Sequence, residues 1–173
     1  MADNRSWLEG PQVPGQYDNP EKVSKYAGEN LGLEKTGPGS IASLGRRIGA
    51  LLLDWVVCMV ITGVLFLPFG PSGEQLDRFG GDTYMAFQNF SAIWTLPIFI
   101  IVGSLSVILF SRTPGHMMLG MGVARVDRPD QGVGIWRPIV RTVLTAFVLP
   151  PVVQDSDGRG MHDRATGTVV IRG

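Results

Sequence analysis

IGALLLDWVVCMVITGVLFLPFG, running from Ile48 to Gly70, carries a single charge, Asp54. A second run, AIWTLPIFIIVGSLSVILF from Ala92 to Phe110, carries none. A bilayer core of about 30 Å is crossed by about 20 apolar residues in a helix, and both runs meet that length. Two such runs without an amphipathic pattern are poor candidates for the core of one small soluble domain. They predict an all-α membrane protein built on a two-helix hairpin, with spans at about 48–70 and 92–110.

The rest of the composition agrees. Charged residues make up 17 % of the 173, against about 25 % in an average soluble chain. Lys plus Arg equals Asp plus Glu at 15 each, without the excess of base that a nucleic-acid binder needs. The single cysteine, Cys58, allows no disulfide framework, and two histidines with one cysteine make no convincing zinc or haem site. No metal and no cofactor are expected.

The positions of the charges give the orientation. Arg46 and Arg47 precede the first span, and Arg112, Arg125 and Arg128 follow the second, while the linker between the spans is acidic (Glu74, Asp77, Asp82 against Arg78). Positive residues mark the cytoplasmic side. The N-terminus and the segment 111–138 are therefore expected in the cytoplasm, in a multi-pass protein of the bacterial cytoplasmic membrane. Met1 to Gly45 has no apolar stretch of signal-peptide length. A third apolar run, 139–153, contains Arg141 and ends in Pro150–Pro151. By length alone it fits a short, bent or re-entrant helix or, with Arg141 snorkelling, a full crossing.

Asp54 is the most informative residue. It lies seven positions, about 10 Å of helix, beyond Arg47 on nearly the same face. A carboxylate that deep in hydrocarbon costs on the order of 2–3 kcal/mol and faces protein rather than lipid. Arg137 and Arg141, at the head of the third segment, are its expected partners. Cys58, one turn further on, reads as a small packing residue.

Three pieces stand in order along the chain: GRRIGALLLDWVV with Arg47, Ala50 and Asp54; SRTPGHMMLGMGVARV after the second span; and MHDRATGTVV with Asp163 near the end. This order resembles the RDD family of small bacterial membrane proteins, over about Leu44 to Arg172. By that resemblance Arg47, Asp54 and Asp163 correspond to the family's namesake arginine and aspartates. The resemblance implies a membrane hairpin whose third motif returns to the cytoplasmic face, which favours a bent or re-entrant third segment. His116 stands where the family commonly has lysine, so a contact made there is expected to depend on pH.

Two units follow: a polar N-terminal tail, 1–45, and an RDD-like membrane domain, 46–173. The tail lacks periodicity and is expected to be disordered unless a partner orders it. Trp7, Tyr17 and Tyr26 are its candidate docking anchors. Met121 to Trp136 reads as a short hairpin with its turn at DRPDQG, and Arg125 and Arg128 there are candidates for lipid headgroup contact. No nucleophile elbow accompanies the histidines, so no enzyme is expected. The expected function is that of an accessory or assembly subunit of a larger membrane complex, respiratory ones included, whose partners are the bilayer and other membrane subunits. The alternative is a small cation/proton transporter with Asp54 as the coupling carboxylate.

Overall fold

The computed structural model describes residues 24–128, 131–147, 153–155 and 157–173. Two long helices dominate it, α1 (Leu44–Phe69) and α3 (Thr83–Phe110), joined by a linker with one short helix, α2 (Glu74–Asp77). The second long helix begins nine residues before its most apolar run. Asp82 caps it there, accepting from the backbone N–H of Tyr84 at 2.8 Å and of Met85 at 3.4 Å. The helices pack antiparallel: Trp55 meets Phe99, Thr62 meets Thr95, and Phe66 meets Phe87 and Phe90.

The buried face of α1 is Arg47, Ala50, Asp54, Cys58 and Thr62, a stripe at three- and four-residue steps. The outer face is Leu52, Val56, Met59, Val60 and Val64, each more than half exposed. Only 22 % of the most apolar window of α1 and 28 % of that of α3 is buried. A soluble protein's core helix would be mostly buried. Here the polar residues face inward and the apolar ones outward, the arrangement that suits hydrocarbon as solvent.

The remaining elements gather at the end where α1 begins and α3 stops. They are α4 (Pro114–Met118), β1 (Met121–Arg125), α5 (Trp136–Ala146), α6 (Met161–Thr166) and β2 (Thr168–Arg172). The expectation of an all-α chain is corrected by the two strands. They pair antiparallel, with Val123 opposite Val170, and bury Met121, Val123, Val169 and Val170. The expected hairpin within Met121 to Trp136 is not formed either. The β-branched run at 168–171 is the better strand and takes β1 as its partner, while Val133 enters the core beside Val170 and Val107.

The segment before α1 lies along the other edge of β2. Ala42 N–H donates to the Val170 carbonyl at 2.9 Å, and Arg172 N–H to that of Ser40 at 2.8 Å. Further upstream, Asp157 accepts from the Ser24 hydroxyl at 2.5 Å and from Asn30 N–H at 3.2 Å. From Ser24 on, the tail is therefore docked on its own chain. Trp7 and Tyr17 lie outside the described residues, and Tyr26 is half-buried in a turn.

The described part of the third apolar run is α5, eleven residues and about 16 Å long, so by itself α5 does not cross a bilayer. Pro150 and Pro151 lie outside the described residues. Gly103 of α3 lets α5 approach closely, since a Cβ there would stand 2.8 Å from Thr142 Cγ2.

Candidate functional site

The membrane acid is held by a turn rather than by a cation. Asp54 Oδ2 accepts from the Thr113 hydroxyl at 2.6 Å, and Oδ1 accepts from Gly115 N–H at 2.7 Å. Local sequence explains the site. Thr113 is the N-cap of α4 and Pro114 its first residue, so the first turn offers N–H groups that have no partner within the helix. A carboxylate is a good acceptor there. The approach needs glycine at 115, because a Cβ would collide with the Ala50 carbonyl.

His116 completes the cap. Its N–H donates to Thr113 Oγ1 at 3.2 Å, and its Nδ1 accepts from Thr113 N–H at 3.4 Å. Burial pushes this imidazole down to about 3, with the nearby Arg141 cation acting in the same direction. The ring is neutral at physiological pH, so the expected pH-dependent contact at neutrality does not arise from His116.

Asp163 is fully buried in the first turn of α6. Its Oδ1 accepts from Arg141 Nε at 2.7 Å and from the Thr168 hydroxyl at 3.0 Å. Its Oδ2 lies 3.4 Å from His162 Nε2 and 4.0 Å from Arg47 Nη1. Burial alone would raise this carboxyl, but His162, Arg141 and Arg47 together hold it well below the usual carboxylate range.

Arg141 and Arg137, the expected partners of Asp54, therefore turn elsewhere. Arg141 reaches Asp163 and acts on Asp54 only through space. Arg137, one turn earlier on α5, faces outward and grips Asp127, with Nη1 to Oδ1 at 2.8 Å. Arg125 holds the same carboxylate, with Nε to Oδ1 at 3.0 Å. Arg125 is thus largely neutralised where a lipid headgroup contact was expected. Arg128 is exposed.

Arg47 is 6 % exposed, whereas Arg46 faces outward. Among the described residues, none of the three guanidinium nitrogens of Arg47 makes a hydrogen bond. The group lines a cavity of about 40 Å³ that also touches Asp54, His116, Arg141 and His162. Among the described residues no group of three or more His, Cys, Asp or Glu side chains is arranged to hold a metal.

Two long apolar helices with polar faces turned inward, closed at one end by an arginine–aspartate cluster, define a membrane protein. Residues 41–167 match the model of the RDD family, and the chain belongs to that family. No curated protein and no solved structure matches the chain.

Sequence reading missed Thr113 and Gly115 as the acid's donors. The Thr-Pro-Gly cap was the available signal, since it exposes N–H groups to any acceptor.

Proposed function

We propose that this protein is a non-catalytic accessory or assembly subunit of a larger complex in the bacterial cytoplasmic membrane, with its N-terminus in the cytoplasm. One observation carries the reading: both oxygens of Asp54 are committed within the chain, to Thr113 and Gly115. The one acid of the spans then serves to fix the α4 turn against α1. What remains available is surface: apolar faces on both long helices, and the part of the tail before residue 24 with its anchors Trp7 and Tyr17. Basic residues around the polar end and acidic ones in the linker support the orientation.

The test is purification of the tagged full chain in a mild detergent. Stoichiometric membrane partners are expected. Removal of residues 1–23 should weaken their association while leaving the fold intact, because the docked segment starts at Ser24. A monomer or homo-oligomer without partners overturns the reading.

Cation/proton exchange is the second reading. One observation favours it: Asp54 borders the polar cavity that Arg47 also lines. Proteoliposomes should then exchange cations for protons, and Asp54→Asn should stop the flux. Absence of flux from the wild-type chain removes this reading.

A further inference from the structure

Arg47 poses an electrostatic problem that the chain leaves unsolved. Its guanidinium is buried and makes no hydrogen bond among the described residues. The nearest acid, Asp163, stands 4.0 Å away and is already bonded to Arg141 and Thr168. Asp54, the other acid of the cavity, is turned to the α4 cap. Arg47, Arg141 and Asp163 together carry one net positive charge in a site shielded from solvent. Burying an uncompensated charge is strongly unfavourable, so such a site calls for an anion. Water would satisfy the N–H groups but not the charge.

The cavity has room for about three water-sized oxygens. That is enough for the free oxygens of a phosphodiester, whose geometry suits the guanidinium fork. Its surroundings narrow the choice further. Leu51, Phe99 and Thr145 form a wall shared by the cavity and an apolar groove of about 330 Å³. The groove runs along Ile48, Leu52 and Trp55 on the outer side of α1 and ends at Ala146 of α5. Arg47 is the fourth residue of α1, at the depth where headgroups lie. Beside it, α5 turns Trp136, Ile139 and Val140 outward and buries Arg141 and Thr142, the pattern of a helix lying in the interface plane.

We propose that the Arg47 cavity and the adjoining groove bind one phosphate-bearing bilayer lipid, its phosphodiester on the Arg47 guanidinium and one acyl chain along Ile48, Leu52 and Trp55. The site is distinct from the exposed arginines of the β1 region, and it does not depend on which of the two functional readings holds.

The test uses the full-length chain in a non-ionic detergent, titrated with phosphatidylglycerol and followed by native mass spectrometry and thermal unfolding. Wild-type protein should retain one lipid and be stabilised by it. Arg47→Gln should weaken binding roughly tenfold or more, since a charge-assisted contact is lost, and Arg47→Lys should restore part of it. Ala146→Phe, which narrows the groove and leaves the charges in place, should weaken binding without lowering stability in lipid-free detergent. If Arg47→Gln fails to fold, Ala146→Phe decides alone. Retention of lipid at the wild-type level by the folded variants overturns the proposal. So does equal stabilisation by phosphate-free diacylglycerol, or by inorganic phosphate or chloride alone.

Discussion

Asp54 and Asp163 are both buried acids of the same cluster, yet they are satisfied by opposite means. Neutral donors hold Asp54, a hydroxyl and a backbone N–H. Asp163 is held by a guanidinium at 2.7 Å, with a second cation and an imidazole near its other oxygen. Asp54 therefore fixes a backbone shape, and Asp163 balances charge. The two should respond differently to the same substitution, carboxylate to amide, which preserves shape and removes charge.

Asp163→Asn is expected to have the largest effect. It leaves Arg47 and Arg141 buried with no acid between them, and breaking a buried pair from one side costs about 3–5 kcal/mol. The variant should be poorly expressed or unfold at a far lower temperature in detergent. A near-normal Tm would show that the cluster is hydrated and that its charges do not need each other.

Asp54→Ala comes next. It leaves the Thr113 hydroxyl and the Gly115 N–H without an acceptor, each costing about 1–3 kcal/mol where water cannot reach. Asp54→Asn keeps one acceptor oxygen and should lose about half as much. The comparison sharpens on this ratio: the amide should rescue position 54 substantially and position 163 hardly at all. Equal losses for Asn at both positions would mean that charge matters at Asp54 as well, which would favour the ion-coupling reading.

Much of this contrast was hidden from the sequence. The two spans were legible because length and apolarity are local properties, and the inward face of α1 followed from the spacing of Arg47, Ala50, Asp54 and Cys58. The order of the three motifs pointed to Arg47, Asp54 and Asp163 together. Which partner each acid takes was not legible, because Thr113 lies 59 residues from Asp54 and Arg141 lies 22 from Asp163. Such pairings depend on how α4, α5 and α6 settle against α1. The β1–β2 pair was missed for the same reason, since a nearer partner for β1, at Val133 to Trp136, competed with the distant one.

His116 tests the neutral side of the comparison through pH. Its folded-state value of about 3 lies below the ordinary value of 6.5. The unfolded chain therefore takes up the proton first, and stability falls as pH drops through that window. Between pH 7 and 5 the loss from this residue is about 2 kcal/mol. His116→Asn, which keeps an acceptor near the Thr113 N–H, should flatten the decline in Tm over that range. An unchanged slope would assign the acid sensitivity to another group.

The smallest effect is expected at Asp127, the third acid with two arginine partners. Arg125 and Arg137 hold it below the usual carboxylate range, with the hydrogen bond from Arg125 the larger cause. Its geometry is as good as that of Asp163: two guanidiniums, with nitrogens 2.8 and 3.0 Å from Oδ1. The difference is water, because the Asp127 side chain is 48 % exposed and that of Asp163 is fully buried. Solvent stabilises each ion separately and screens their attraction, so exposed pairs contribute little. Asp127→Ala should leave Tm close to the wild-type value in detergent. A large loss would mean that the β1–α5 connection is shielded in the folded protein, and then burial could not be the reason for ranking Asp163 above Asp127.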